Sequence, residues 1–341
     1  MMNGLKVVFK DVGQGDTIII EHTNEEERWI GVIDCNEYGR NPVIDYVKSN
    51  RSFQSISFIV ISHLHVDHIS GISDLIEYCT KNGITIEKLI HTINRSVLDI
   101  LDKVETRSMH EHGVLWRLID VLDEGIKNKT ITNNFEASSN MNEINLAGEI
   151  ILKCHAPAGN NLGELLKGIK RKRDKKRIRQ NLNMYATILE IKKNGKSILL
   201  TSDADKRYFN KLENSINNSV VIAQAPHHGS FRNIHKNFWE CIKIDKQQII
   251  VFSVGEDNRY ALPDTETVSF FNEKGYEIRA TNYVNGLKQL SNGSEEAIEE
   301  YEGKEDSLMD ILSFIAELPK DKVKSNNYGR FSGDLIFEIN D

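Results

Sequence analysis

The pattern of this chain predicts an α/β fold in which two sheets are sandwiched between helices. Short apolar, β-branched runs alternate with stretches of helical spacing, and the alternation occurs twice, once in the first third and again from about residue 150. Polar clusters rich in His and Asp stand at the ends of those runs in both halves, where open α/β sheets build their sites.

In order, the strands expected in the first half are Val7 to Phe9, Thr17 to Glu21, Trp29 to Asp34 and Phe58 to Ile61, with a helix from about Pro42 to Ser49 between the last two. Ile72, Leu75, Ile76 and Cys79 fall at i, i+3, i+4 and i+7, so a helix starts near Asp67 or Ser70 and runs to the breaker Asn82-Gly83. Val114, Leu115, Leu118, Ile119 and Leu122 mark a helical excursion, followed by a mostly polar stretch from Thr130 to Asn145. The second half offers strands at Ile150 to Cys154, Tyr185 to Ile191, Ser197 to Thr201, Val220 to Ala225 and Ile249 to Ser253, then a helix over Asp264 to Asn272. A late helix over Leu308 to Glu317 and a final strand, Leu335 to Ile339, close the chain.

With 341 residues, 39% of them hydrophobic and 27% charged, the chain can bury the core of one large α/β domain with additions. No apolar stretch approaches the length of a membrane span, and the N-terminus enters a strand without a signal-peptide pattern, so the expected location is the cytoplasm. Cys35, Cys79, Cys154 and Cys241 show neither CxxC spacing nor disulfide density, in keeping with a reducing compartment. A net charge of −7 gives no overall basic field.

The densest chemistry lies in Ile61-Ser62-His63-Leu64-His65-Val66-Asp67-His68, which packs imidazoles and a carboxylate onto a strand-to-helix turn. Neutral imidazole and carboxylate suit Zn, Mn or Fe, whereas the absence of thiolates and of many carboxylates disfavours a structural zinc or a calcium loop. With only eleven histidines in the chain, a polar turn with chance histidines is the poorer reading. Asp203 follows the apolar run Ile198-Leu199-Leu200, the pair His227-His228 follows Val220 to Ala225, and His155 ends the run from Ile151. Together these supply enough ligands for two metals.

The chain resembles the metallo-β-lactamase superfamily, and within it the branch of the nuclease-like domain of ComEC-type competence proteins. The resemblance rests on Asp11-Val12-Gly13-Gln14-Gly15-Asp16, the HxHxDH run, Leu199 to Asp203, Pro226-His227-His228-Gly229-Ser230, and Ser253 to Tyr260. It implies a four-layer αβ/βα sandwich of two mixed β-sheets flanked by helices. The hydrolase domain would span residues 1–285, with a helical insertion at about 95–145 and a basic one at about 160–181. Residues 286–341 would add an acidic linker, a helix and a strand packed on the same domain.

By this resemblance two divalent ions, Zn or Mn, are the cofactors. His63 and His65 would bind the first, with His155 as a third ligand, while Asp67 and His68 would bind the second. Asp203 would bridge them. One of His227 and His228 would complete the second site; His227, nearer the strand, is assigned as the ligand, and His228 joins Asp67 and Asp203 as a catalytic group. Gln14, Asp16, Ser230 and Asn258 would position substrate or brace the ligands. Asp34 reads as structural support. A two-metal site of this kind activates water for attack on a phosphoryl or acyl centre, and the branch points to phosphodiesters of nucleic acid or nucleotides, cut by an effector of a larger defence system.

Between Lys167 and Arg179 lie nine Lys or Arg residues, among them Lys170, Arg171, Lys172, Arg173, Lys175, Lys176 and Arg177, which offer a phosphate-binding loop. Three departures from the branch stand out: Ser202 for glycine, Ala186 for serine, and Leu262 for the histidine of Tyr-Gly-His-Pro. The competing readings are hydrolysis of another ester, such as a phosphorylcholine ester, thioester or lactam, and a non-catalytic, metal-stabilised module that docks a protein partner through its helical insertion.

Overall fold

The computed structural model describes residues 4–25, 27–50, 53–93, 109–147, 149–158, 182–212, 215–242, 248–256, 258–288, 323–325 and 333–340. The chain begins with an antiparallel meander, β1 (Gly4–Phe9), β2 (Ile18–Thr23) and β3 (Arg28–Ile33). Helix α1 (Pro42–Ser49) starts where Asn41 accepts from the Val43 and Ile44 amides and Pro42 takes the first turn, which needs no donor there. A short strand β4 (Ser55–Ile56) precedes β5 (Phe58–Ile61), which returns parallel to β3.

The helix expected after Asp67 is two pieces, α2 (Val66–Ile69) and α3 (Ile72–Asn82). The break comes at Gly71, whose amide bonds to the Cys35 carbonyl at 2.8 Å and where a Cβ would lie 2.8 Å from Cys35 Sγ. Then follow β6 (Thr85–Ile86), β7 (Leu89–His91), α4 (Met109–Lys127) and β8 (Asn134–Glu136).

The second sheet contains β9 (Ile144–Ala147), β10 (Ile150–Ala156), β11 (Ile188–Lys193), β12 (Lys196–Leu200), β13 (Ser219–Gln224), β14 (Ile249–Phe252) and β15 (Glu277–Ala280). Helices α5 (Lys206–Phe209), α6 (Lys236–Cys241) and α7 (Thr265–Glu273) punctuate it. Strands β16 (Val323–Ser325) and β17 (Leu335–Asn340) return to the first sheet, β17 pairing with β1. The strand orders are β16-β17-β1-β2-β3-β5-β7-β8 and β15-β14-β13-β12-β11-β10-β9. Both sheets mix parallel and antiparallel pairs.

Three apolar layers separate four layers of structure. Strand alternation sends Val7, Phe9, Ile18, Ile20, Phe58 and Val60 inward against Leu189, Ile191, Ile198 and Leu200 of the other sheet. The opposite parity, Val8, Ile19, Ile59 and Ile61, meets α1, α3 and α4. On the far side Ile188, Leu199, Ala223 and Ile250 meet Phe238, Trp239, Val268 and Phe271 of α6 and α7. This is a four-layer αβ/βα sandwich, two mixed sheets with helices outside.

The structure corrects the sequence reading in places. The stretch Thr130 to Asn145 contains β8, an exposed edge strand of three residues, and the start of β9, an edge strand whose Ile144 and Leu146 face the core on either side of exposed Asn145. The apolar face of α4 packs inward: Leu115, Leu118 and Leu122 are buried in the layer shared with α3. The basic stretch Lys170 to Arg177 and the expected helix Leu308 to Glu317 lie outside the described residues. Among the described residues, no helix is long and apolar enough to cross a membrane.

Candidate metal centre

The carboxyl ends of parallel strands from both sheets converge on one rim. From the first sheet, β3 ends at Asp34 and β5 runs through Ser62 and His63 into α2, which carries Asp67 and His68. From the second, β12 delivers Asp203 and β13 delivers the Pro226–Gly229 turn. The loop between β1 and β2 lays Asp16 against them: the Asp16 amide bonds to the Asp67 carbonyl at 3.1 Å, and a Cβ on Gly15 (φ +135°) would stand 2.3 Å from that same oxygen.

Asp203 is the hub. Its Oδ1 lies 3.6 Å from His68 Nε2 and 3.5 Å from His228 Nε2, and its Oδ2 lies 3.7 Å from His63 Nε2 and 3.5 Å from His227 Nδ1. His228 Nε2 is also 3.8 Å from Asp67 Oδ2, and His63 Nε2 is 3.0 Å from His65 Nδ1. Asp16 Oδ1, His68 Nε2, Asp203 Oδ1 and His228 Nε2 are buried without a hydrogen-bond partner. Orphaned polar atoms cost too much to leave converging on one another unless something binds them. Asp67, His68 and His228 are spaced to share one cation, as are Asp16, Asp203 and His228, and the donor types suit Zn or Mn. His63, His68 and Asp203 form a third grouping of this spacing, and a fourth, Asp16 with Asp34 and His68, is a hydrogen-bonded support instead, because Asp34 Oδ2 sits 2.7 Å from His68 Nδ1.

The other ring nitrogens are tied down so that these stay available. Asp34, fully buried, takes the Ser62 amide at 2.7 Å and the Ser62 hydroxyl at 2.5 Å besides His68. His228 Nδ1 faces the Ser253 carbonyl at 2.8 Å, which places its proton there and leaves Nε2 bare. Gln224 takes the Thr201 and Ser202 amides on its carbonyl and donates to Asp16 Oδ2 at 2.7 Å, joining two approaches to the site. Asn36 donates to the Val12 and Gln14 carbonyls and so fixes the Gly13–Gly15 loop.

Electrostatically the site gathers charge. Burial opposes ionisation of Asp203, yet His227, His228 and His68 outweigh it and hold the carboxyl well below the usual range. Burial works against charge on His68, but Asp203 and Asp34 raise it well above an ordinary imidazole, and His228 is raised by Asp203 and Asp16 in the same way. His63 goes the other way: burial, reinforced by His68 and His65, pushes it well down. Burial also lowers His65. A bound cation would replace the protons on His68 and His228.

Among the described residues, four of the eight non-glycine residues with left-handed backbone surround this point: Asp34, Ser202, His227 and His228. Such residues cost about 1–3 kcal/mol each and collect at functional sites. Ser202 (φ 44°) adopts a conformation that glycine takes without strain; its hydroxyl donates to Ser62 at 2.8 Å, bracing the interior.

The structure thus brings together His63, His65, Asp67, His68, Asp203, His227, His228 and Asp16. His155 is not brought in: its Nε2 is 2.8 Å from Glu190 Oε2, inside a buried pair on the second sheet. The strand-borne ligand expected there is corrected accordingly, since β11 supplies His155 with a carboxylate before the rim is reached. His228 rather than His227 joins the Asp67 and His68 side. Gln14 is half-buried at the loop, its Oε1 without a partner. Ser230 closes the histidine turn, its amide on the His227 carbonyl at 3.0 Å. Asn258 donates to the Leu262 carbonyl and accepts from the Tyr260 amide, so it holds its own loop. Leu262 is buried and Ala186 is fully so. Ser62, Asn36, Asn183 and Gln224 escaped the sequence reading; the one signal was a polar residue at the end of an apolar run, which Ser62 and Gln224 carry.

No family model matches the chain, and no curated protein does. Solved structures do. The chain is similar to unliganded yeast PDE1 at 10% identity over 84% of this chain and 99% of the other, with a TM-score of 0.44. Zn(2+)-bound PqqB from Methylobacterium extorquens aligns at 8% identity over 81% of this chain and 97% of the other, with a TM-score of 0.43. The metallo-beta-lactamase fold protein YhfI from Bacillus subtilis aligns at 11% identity over 64% and 70%, with a TM-score of 0.34. Such likeness concerns the course of the chain and says nothing of substrate.

Proposed function

We propose that this chain is a di-metal hydrolase that cleaves phosphodiesters of nucleic acid or nucleotides. The observation that carries the metal pair is Asp203, whose two oxygens each face a pair of imidazoles. Asp67, His68, His228 and Asp203 Oδ1, with Asp16 beside them, would hold one ion; His63, His65 and Asp203 Oδ2 would hold the other. When bound, such a pair supplies an acidified water and positive charge against the oxygens of a phosphoryl centre. The chain's own residues do the rest. Asp34 and the Ser253 carbonyl keep protons on the far nitrogens of His68 and His228, and Gln224 fixes the Asp16 carboxylate.

What supports a phosphodiester is the sequence resemblance in Asp11 to Asp16 and Pro226 to Ser230, together with the nine cationic residues between Lys167 and Arg179. The buried Leu262, standing where the branch has a histidine, favours the second reading, hydrolysis of another ester. Metal analysis with cleavage assays on labelled single- and double-stranded DNA and RNA, across Mn, Zn and Mg, separates the two when run beside phosphorylcholine-ester, thioester and lactam substrates. Metal-dependent cutting of nucleic acid that disappears in a folded Asp67→Asn variant is expected; full activity in that variant would refute the proposal.

A further inference from the structure

We infer that the adjacent histidines divide between two metal sites: His228 serves the ion held by Asp67 and His68, and His227 supplies the third imidazole of the ion held by His63 and His65. This rests on the di-metal reading above and assigns the first site a ligand from the turn after β13 in place of one from the strand β10.

The backbone makes the case first. His227 (φ 50°, ψ 52°) and His228 (φ 55°, ψ 23°) are consecutive left-handed residues, neither of them glycine. A single ligand would need only one such residue. Two in succession turn both rings toward the same carboxylate while keeping them apart, with centroids 6.1 Å from each other and planes at 75°. The turn is held by the His227 amide on the Ser202 carbonyl at 2.9 Å, one residue before Asp203, so the histidines and the hub move as a unit.

The two rings then meet different oxygens. His228 Nε2 faces Asp203 Oδ1, the oxygen that His68 also faces, whereas His227 Nδ1 faces Oδ2, the oxygen on the His63 side. His63 Nε2 and His65 Nδ1 lie 3.0 Å apart, and a third protein nitrogen for them must come from outside their own loop. His155 is spoken for by Glu190. Asn183 Nδ2 lies 2.9 Å from His227 Nδ1; donated there, its hydrogen occupies the lone pair that an ion would take, a contact that the ion must displace.

The test is metal binding by the full chain, stripped with chelator and titrated with Co(II), followed by visible absorbance and by metal analysis after dialysis. His227→Gly removes the ring and relaxes the left-handed backbone, so folding is not put at risk. The expected result is two ions in the wild type, one tightly bound ion in His227→Gly with affinity for the other down at least about 10-fold, partial recovery of the lost absorbance with added imidazole, and two ions in His155→Ala. Two ions bound with wild-type affinity in His227→Gly would overturn the assignment and leave the di-metal reading standing. A wild type that takes up no divalent ion would overturn both.

Discussion

Asp34 is the residue whose loss should separate ligand support from ligation. It touches no other site carboxylate by hydrogen bond, yet it takes three donors: the Ser62 amide at 2.7 Å, the Ser62 hydroxyl at 2.5 Å and His68 Nδ1 at 2.7 Å. In Asp34→Asn the shape is kept, and the remaining carbonyl oxygen can still accept from the Ser62 amide. The new amide nitrogen then stands in place of Oδ2 and faces both the Ser62 hydroxyl and His68. A hydroxyl can reverse its role; an imidazole nitrogen facing a donor must give up its proton. His68 then carries its hydrogen on Nε2, the nitrogen aimed at Asp203 and at the proposed ion, which is the wrong tautomer for a ligand. Losing a partner of this kind lowers metal affinity about 10–100-fold. Replacing a charge-assisted bond by a neutral one in a buried place adds about 1–3 kcal/mol of lost folding stability. Competitive chelator titration reads the first effect, and urea unfolding of metal-stripped protein reads the second. Unchanged affinity together with unchanged stability would refute the role given to Asp34.

Three further outcomes follow from particular contacts. Gly15→Ala drives a Cβ to 2.3 Å from the Asp67 carbonyl and 2.5 Å from Asn36 Nδ2, so metal affinity should fall and stability drop by about 1–3 kcal/mol, while Gly39→Ala, with nothing within 4 Å, should spare metal binding; equal metal affinities for the two variants would count against the loop's part in the site. Leu118→Ala removes a fully buried side chain between α4 and α3 and should cost about 2–5 kcal/mol in urea melts, where a cost under about 1 kcal/mol would mean that α4 is only loosely attached. Glu21 is buried, which alone would raise its pKa, but Lys6, Tyr46 and Arg28 outweigh burial and lower it. Its contribution is therefore complete above the ordinary carboxyl value of about 4.3 and is lost as pH falls through the lowered value. The stability gap between wild type and Glu21→Gln should be constant from about pH 6 to 7 and close progressively below about pH 4; a gap that widens toward acid would reverse the sign.

Much of the fold was legible because alternation and helical spacing are local signals, and both halves of the chain display them. Strands buried on both faces, such as Phe58–Ile61 and Ile249–Phe252, announce themselves as unbroken apolar runs; edge strands such as Asn134–Glu136 do not, since only one neighbour and one face constrain them. The ligand inventory was legible for a related reason. Polar residues at the ends of buried strands cannot face the core, so His63, Asp203 and the histidine pair had to gather at a rim. Direction was not legible. His155 and His227 both end apolar runs, and spacing treats them alike. His155 is claimed by Glu190, a residue of the neighbouring strand whose approach depends on register. His227 is turned inward by a left-handed backbone held through the Ser202 carbonyl, far away in sequence. Neither cause is local, so the direction each histidine takes is what the fold adds and spacing cannot supply. A carboxylate with an imidazole pair on each oxygen is one residue in the sequence and two half-sites in space.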